Sequence, residues 1–320
     1  MGVTARAQPN IALIKYWGKR DSNRNLPAVG SISITLLDLY TEMCVEFDSE
    51  SGHDTLTVNG DDSPALLPRV VRCLDDVLGE NRSRARVTSS SNFPIAAGLA
   101  SSASSFAALV VAASAAAGHE RSTAELACLA GRASGSAARS LYGGFVELQN
   151  ENEAILVDSI LDGDAWPLRV VAAVTATEAK PVSSGEAMEI SRKSSPFYAR
   201  WIEEQPMDLA TARDAIAVRD FGKLASIAEH NCLKMHSVMW ASRPPVVYWN
   251  SATVACMQAV RELHESGVGV FFTIDAGPQV KAVCLPDDEA RVVDVLSQVA
   301  GVEQVLVSGI GTGAELVASE

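Results

Sequence analysis

The chain has 320 residues, 48% hydrophobic and 20% charged, enough apolar material for a sizeable core in one large domain or two. Its net charge of −13 argues against broad binding to nucleic acid or to an anionic membrane, so an anionic ligand would need cations concentrated in one place.

The six cysteines (Cys44, Cys73, Cys128, Cys232, Cys256, Cys284) are scattered without a CxxC pair and read as free thiols of a reducing compartment. No apolar signal core opens the chain, and the apolar run 106–117 is too short to span a bilayer. A cytoplasmic location is the expectation.

Residues 3–47 read mostly as strand, with Ile11, Leu13, Ile32, Ile34 and Leu36 alternating and Cys44, Val45 and Phe47 extending the pattern. Between them, Lys15-Tyr16-Trp17-Gly18-Lys19-Arg20-Asp21 and the loop to Arg24 gather four cations against Asp21. Lys15 and Lys19 are four apart and share a face in either regular conformation, and the two aromatics beside them weigh against a merely solvated loop. A strand over 54–60, a helix over 66–78 and a strand over 84–90 follow.

Next comes Phe93-Pro94-Ile95-Ala96-Ala97-Gly98-Leu99-Ala100-Ser101-Ser102-Ala103-Ser104, in which nine of twelve residues are Gly, Ala, Ser or Pro. Small side chains let a ligand approach the backbone. Serines before an apolar run cap a helix whose first N–H groups point outward, and a loop feeding such an N-terminus suits phosphate. The alternative is a turn before a buried Ala-rich helix.

Gly118 marks a helix end, and Ser122-Thr123-Ala124-Glu125 is a capping box for the next helix. If that helix continues through residue 140, Arg132, Ser136 and Arg139 share one face. Two guanidiniums there could grip carboxylate or phosphate; close helix packing with a surface Arg is the competing reading. Strands are predicted near 143–148, 155–157 and 170–174. Lys180-Pro181-Val182-Ser183-Ser184-Gly185 reads as a linker, and helical patterns continue to about 240. A helix over 251–266, strands over 268–274 and 280–285, a helix over 288–299 and a strand over 302–307 complete the pattern. It suits an α+β architecture with helices on one face of an antiparallel sheet, in two lobes, 1–180 and 181–320.

Neither a GxxxxGK[ST] loop nor a GxGxxG turn is present, and the protein-kinase HRD landmark is missing. The histidines show no metal spacing; His236, Trp240 and Trp249 read as packing residues. Gly309-Ile310-Gly311-Thr312-Gly313 alone is a weak signal.

Five stretches carry a family resemblance: Asn10-Ile11-Ala12-Leu13-Ile14-Lys15-Tyr16-Trp17-Gly18-Lys19-Arg20-Asp21, 92–102, Gly135-Ser136-Ala137-Ala138-Arg139-Ser140-Leu141-Tyr142-Gly143-Gly144, Val182-Ser183-Ser184 and Asp275-Ala276-Gly277-Pro278. In this order the chain resembles the mevalonate diphosphate decarboxylase branch of the GHMP kinase superfamily. The resemblance implies a two-lobed fold, with a ribosomal-protein-S5-like N-terminal lobe and a ferredoxin-like α/β sandwich after it. It implies use of ATP and Mg²⁺ to phosphorylate the tertiary hydroxyl of mevalonate 5-diphosphate, with loss of phosphate and CO₂ to give isopentenyl diphosphate.

Carried to positions, it makes Asp275 the carboxylate against the 3-hydroxyl, Arg139 the holder of the substrate carboxylate and Lys15 the active-site lysine. Tyr16 and Lys19 lie on the substrate side, and Ser134, Ser136 and one of Ser183 or Ser184 contact substrate phosphate or carboxylate. Ala97, Gly98, Leu99, Ala100, Ser101, Ser102 and Ser104 hold the ATP phosphates, with Ser102 a Mg²⁺ ligand. Lys15, Lys19, Arg20 and Arg139 would supply the basic cleft that polyanionic ligands require. A homodimer is compatible with this reading.

One departure is visible. Where the family reads LPTNSSIS, this chain has Leu26-Pro27-Ala28-Val29-Gly30-Ser31-Ile32-Ser33. That change keeps open a related decarboxylase or 3-kinase acting on mevalonate or its monophosphate. A reading of another class is a non-catalytic sensor on the same scaffold.

Overall fold

The computed structural model describes residues 2–48, 52–94, 99–150, 154–178 and 180–318. The chain opens with β1 (Val3–Ala7), β2 (Asn10–Ile14), β3 (Lys19–Asp21), β4 (Leu26–Pro27), β5 (Ser31–Thr35) and β6 (Thr41–Asp48). β7 (Thr55–Val58), β8 (Asp61–Asp62), α1 (Leu67–Leu78), β9 (Arg84–Ser91), α2 (Ser101–Ala116) and α3 (Thr123–Ala133) follow. A 3₁₀ turn (Ala137–Leu141) precedes β10 (Phe145–Gln149), β11 (Leu156–Leu161) and β12 (Arg169–Val174). Four helices, α4 (Ser184–Ser194), α5 (Tyr198–Val218), α6 (Phe221–Trp240) and α7 (Ser251–Glu265), lead to β13 (Val270–Ile274) and β14 (Val280–Cys284). The last elements are α8 (Glu289–Ser297), β15 (Gln304–Ser308) and β16 (Glu315–Leu316).

A six-stranded sheet, β16-β1-β6-β9-β7-β8, is antiparallel except for the β7–β9 pair. Against it lies α2, whose Ala103, Phe106, Ala107, Leu109, Ala112 and Ala113 are buried; a helix apolar on all sides has to be enclosed by protein. α3 starts on the expected capping box, with Glu125 N–H donating to Ser122 Oγ and Ser122 N–H to the Glu125 carboxylate.

α3 does not continue to residue 140. It stops at Ala133, Ser134 is extended, and the chain re-forms only as the 3₁₀ turn. Glycine and clustered serines weaken a helix here, since serine side chains compete for backbone hydrogen bonds. Arg132 is therefore left exposed while Arg139 is buried, and the predicted two-arginine face does not form.

The second sheet is β11-β10-β5-β2 and the third β13-β14-β12-β15, antiparallel throughout. β12 belongs to the third sheet, so the change of lobe falls before residue 169 and not at 180 as expected; the alternation of 170–174 was readable, its partners were not. Period-two alternation divides the third sheet's residues. Val171, Ala173, Phe272 and Ala282 face α7 and α8, while Val170, Ala172, Phe271 and Val283 join a core with Ile11, Ile32, Ile34 and Phe145. The face opposite these helices is thus covered by the first lobe. The glycine-rich stretch 309–313 is a crossing between sheets: Gly311 N–H donates to the Thr35 carbonyl and Gly144 N–H to the Gly311 carbonyl, before β16 pairs with β1.

The departure at residues 28–30 has a packing basis. Val29 is buried with Trp17, Trp201 and Met235, and the Gly30 carbonyl accepts from Gln205 Nε2 at 3.2 Å. A Cβ at Gly30 would stand 2.9 Å from both the Leu148 carbonyl oxygen and Leu209 Cδ1 on α5. Gly30→Ala is therefore expected to destabilise the fold by about 1–3 kcal/mol, seen as a lower Tm; an unchanged Tm would mean that β10 and α5 yield at no cost.

Candidate active site

Alternation along the third sheet puts Thr273, Asp275 and the cross-strand neighbour of Thr273, Lys281, on the face turned to the first lobe. From that lobe comes Lys15, directly after β2. Its Nζ donates to the Ala12 carbonyl at 2.8 Å and to Asp275 Oδ1 at 2.7 Å. Lys281 Nζ lies 3.4 Å from Oδ2, which is buried and accepts no hydrogen bond from the described residues. The Lys15 and Lys281 side chains are 1% and 0% exposed, against 22% for Asp275, so Asp275 is the member of the three with accessible surface. Burial opposes its ionisation, yet the ammonium groups of Lys15 and Lys281, with the Arg139 guanidinium, hold its carboxyl well below the usual carboxylate range.

The Lys15 backbone is clamped from the second lobe. Its N–H donates to Asn231 Oδ1 on α6 at 2.8 Å, and its carbonyl accepts from Gln205 Nε2 on α5 at 2.7 Å. Thr273 Oγ1 also donates to the Ala12 carbonyl. His236 packs as expected, fully buried, with Nε2 3.2 Å from the Ile274 carbonyl and burial lowering its pKa to about 3. Its ring sits 4.7 Å from Trp249 and 6.2 Å from Trp240.

Arg139 is held without a carboxylate among the described residues. Its Nε donates to Ser33 Oγ (2.9 Å) and Asn10 Oδ1 (3.2 Å), Nη2 to Asn10 Oδ1 (3.0 Å) and Nη1 to Ser31 Oγ. Asn10 is itself fixed by donating to the Ser136 carbonyl and Ser140 Oγ. Burial lowers the arginine's pKa to about 10, and Asp275 opposes the shift. Beside it, Tyr16 Oη is buried without a hydrogen-bond partner among the described residues, its phenol pushed above the ordinary value by burial. It stands where a Cβ on Gly135 would be only 2.5 Å away, which fits the absence of a side chain there.

The outer part of the cleft gathers more cations. Lys19 borders a cavity of about 310 Å³ with Ser22, Gly185, Met188 and Glu189. Burial, then the nearby Arg69 guanidinium, lowers the Lys19 pKa. Lys180 Nζ donates to Ser184 Oγ at 3.0 Å and to the carbonyl of Ala276, the residue after Asp275, at 2.8 Å. Ser183 instead caps α4 by accepting from Glu186 N–H, which makes Ser184 the one of the pair placed beside the site. Arg20 departs from the expected cleft: it is exposed and donates to Asn150 Oδ1.

Ser134 Oγ lies 3.4 Å from Ser102 Oγ and 3.5 Å from Ser136 Oγ, bringing the α2 N-terminus to the turn that carries Arg139. No side chain among the described residues caps α2, and its N-cap, Ala100, is held at φ 58° and ψ 29°, a left-handed conformation costly for alanine. Ser101 and Ser102 form the first helical turn. Leu99 is buried in the core shared by the lobes, and Ser104 bonds Thr41 Oγ1 and the Ser101 carbonyl inside the first lobe. The side chains of Leu99 and Ser104 are thus turned from the cleft. Ala97 and Gly98 lie outside the described residues.

The unpartnered Tyr16 Oη, the uncapped helix and the surplus of cations fit a polyphosphate ligand. No group of three or more His, Cys, Asp or Glu among the described residues could hold a metal. This donor set fits Mg²⁺ arriving on nucleotide phosphates with Ser102 nearby, since Mg²⁺ commonly relies on few protein ligands beside substrate phosphates.

Sequence reasoning missed Lys281, Lys180, Arg69, Ser31 and Ser33, and gave Asn10 no role. Lys281 had a signal, a lone charge inside the apolar strand Val-Lys-Ala-Val-Cys. Lys180 had none, because a lysine in a linker-like segment is ordinarily solvated.

Residues 7–160 match the diphosphomevalonate decarboxylase-like N-terminal domain, and residues 170–313 match the mevalonate 5-diphosphate decarboxylase C-terminal domain. The chain belongs to the diphosphomevalonate decarboxylase family. A diphosphomevalonate decarboxylase of Eremothecium gossypii is 35% identical over 92% of this chain and 80% of its own length. The crystal structure of mevalonate diphosphate decarboxylase from Staphylococcus aureus superposes with a TM-score of 0.93 at 36% identity, covering 99% of this chain and 98% of that one. MDDEF in complex with MVAPP, AMPPCP and magnesium superposes with a TM-score of 0.92 at 34% identity, covering 100% and 99%. In this member of the decarboxylase family the site is divided between the two matched domains: Lys15, Tyr16, Ser102 and Arg139 lie in the first, Lys180, Ser184, Asp275 and Lys281 in the second.

Proposed function

We propose that the chain catalyses the ATP-dependent decarboxylation of mevalonate 5-diphosphate to isopentenyl diphosphate, releasing ADP, phosphate and CO₂. The observation that carries this reading is an ionised carboxylate, Asp275, with one oxygen that accepts no hydrogen bond from the described residues, surrounded by buried cations of which Arg139 has no carboxylate partner among them. A kinase needs the first part; a decarboxylase also needs a fixed cation for the substrate's own carboxylate. Family membership and the ligands of MDDEF support the same substrates here.

In this reading the Asp275 carboxylate accepts the hydrogen bond of the 3-hydroxyl and aims its oxygen at the γ-phosphorus; as the O–P bond forms and the bond to ADP breaks, the hydroxyl proton passes to the transferred phosphate. With its carboxyl held far below neutrality Asp275 is a weak base, so orientation is its main contribution. Lys15 fixes the other oxygen. Bound Mg²⁺ neutralises charge on the transferring phosphate. Ser101, Ser102 and the uncapped end of α2 hold the nucleotide phosphates, while Tyr16, Lys19, Ser134, Ser136 and Ser184 hold substrate oxygens. Arg139 binds C1 carboxylate through its fork. As the C3–O bond breaks with departure of phosphate, the C1–C2 pair becomes the C2–C3 π bond and C1 leaves as CO₂.

Val29 and Gly30 pack against Trp201 and Leu209 of α5 and their neighbours, which supports reading the change at these positions as one of packing. The net charge of −13 supports a function without nucleic acid. The six free cysteines support a cytoplasmic setting, and no described helix is long and apolar enough to cross a membrane.

The test supplies ATP and Mg²⁺ with mevalonate, its 5-phosphate or its 5-diphosphate and measures ADP and CO₂ together. Equimolar ADP and CO₂ from the diphosphate are expected. ADP without CO₂ from all three would make the chain a kinase, and binding without ADP would make it a sensor.

A further inference from the structure

We propose that Lys281 is a positioning residue for this reaction: from the sheet that carries Asp275 it holds the Oδ2 side of the carboxylate while Lys15 holds Oδ1, and so fixes the orientation in which the carboxylate meets the substrate hydroxyl. The proposal rests on the decarboxylase reading and goes beyond it in assigning a second lysine.

The two lysines treat the carboxylate differently. Lys15 makes a 2.7 Å hydrogen bond and so occupies a lone pair of Oδ1. Lys281 stands 3.4 Å from Oδ2 without a hydrogen bond to it. Coulomb attraction survives that extra distance, whereas a hydrogen bond depends on close, directed contact. Lys281 therefore anchors the charge of the carboxylate from the Oδ2 side, while Lys15 fixes Oδ1. It is also the cation bound to Asp275 through the sheet itself, opposite Thr273 on β13 and Ala172 on β12, whereas Lys15 reaches across from the other lobe.

A buried ammonium beyond the reach of water is costly unless it serves an anion. The charged and titratable groups around this one, among the described residues, include Asp275, Lys15 from the end of β2, Lys180 from the segment before α4, and Cys232 and His236 from α6. Arg139 acts on the same carboxylate. Asp275 is the only anion of the set, and burial and Lys15 both press Lys281 toward its neutral form.

The experiment compares the wild type with K281M, which keeps the length and loses the charge, and K281R, which keeps the charge. In K281M kcat should fall about 10–100-fold with the KM for ATP within about threefold, the pattern of a defect in the reacting geometry. An acid limb absent from the wild type should appear, because removing a cation raises the carboxyl's pKa and activity is then lost as pH falls through it. K281R should keep the wild-type profile. K281Q replaces K281M if the latter does not fold.

Carbon-13 NMR of labelled aspartate, assigned with D275N, follows the Asp275 carboxyl in the ligand-free protein. An upward-shifted titration in K281M is expected whatever the turnover. An unshifted titration, or equal losses in K281M and K281R with unchanged pH profiles, would overturn the proposal. A wild type that releases no CO₂ would overturn the decarboxylase reading instead, with the NMR titration still deciding what Lys281 does to Asp275.

Discussion

Asp275→Asn should lower kcat by about 10²–10⁴-fold, measured as ADP and CO₂ release at saturating substrates. The amide keeps the volume and an acceptor oxygen but loses the charge that orients the 3-hydroxyl. Its NH₂ must also face a lysine on one side or the other, because Lys15 and Lys281 occupy both flanks. The loss should therefore reach stability too, since the substitution leaves two buried ammonium groups without their shared anion. A depressed carboxyl pKa contributes stability that is complete above the ordinary value near 4 and disappears as pH falls through the folded value. At neutral pH the wild type has all of it, so the Tm difference from the variant should be full at pH 7 and shrink in strong acid. Turnover within threefold of wild type would remove Asp275 from the mechanism.

Arg139→Lys should cost about 10²-fold in kcat/KM and become worse with rising pH. Asn10, Ser31 and Ser33 accept from three different nitrogens of the guanidinium, and a single ammonium cannot reproduce that fork. At least one of these buried acceptors loses its donor, and the substrate carboxylate loses its bidentate partner. Burial already brings the arginine down to about 10. A lysine begins lower, near 10.4, so the same burial carries it toward neutrality and its charge is lost as pH rises through that range. A pH series of kcat/KM checks this: the wild type should hold its activity across pH 7–9 and the variant should lose it. Parallel profiles would show that the charge at 139 is not what the substrate feels.

Much of the fold was readable because local pattern determines local structure. The capping box at Ser122 and the apolar α2 lie where their chemistry places them. What failed was long-range. Nothing local in 170–174 says that this strand pairs with 280–284, over a hundred residues later, and so the lobe boundary came out too late. The end of α3 before Arg139 has a related cause: Gly135 leaves room for Tyr16, a residue distant in sequence.

The site divides in the same way. Lys15, Tyr16, Arg139 and Asp275 sit in runs long enough to carry a family resemblance, and the fold brings them together. Lys281 was visible only as an oddity in an apolar strand, and Lys180 and Arg69 resemble surface cations until the chain is folded. Ser104 shows the opposite error, since a serine within a ligand-binding run can still point into the protein.

The core that joins Ile11, Ile32 and Phe145 to Val170, Phe271, Val283 and the inner faces of α5 and α6 bears on how the enzyme moves. Parting the walls of the cleft would expose this apolar seam to water, so the lobes do not swing like jaws on a hinge. Engagement of the ligands is left to pieces outside the seam, such as the Lys180–Ser184 segment and the α2 entrance. The Lys15–Asp275 pair that spans the seam is then a fixed gauge, set before either substrate arrives.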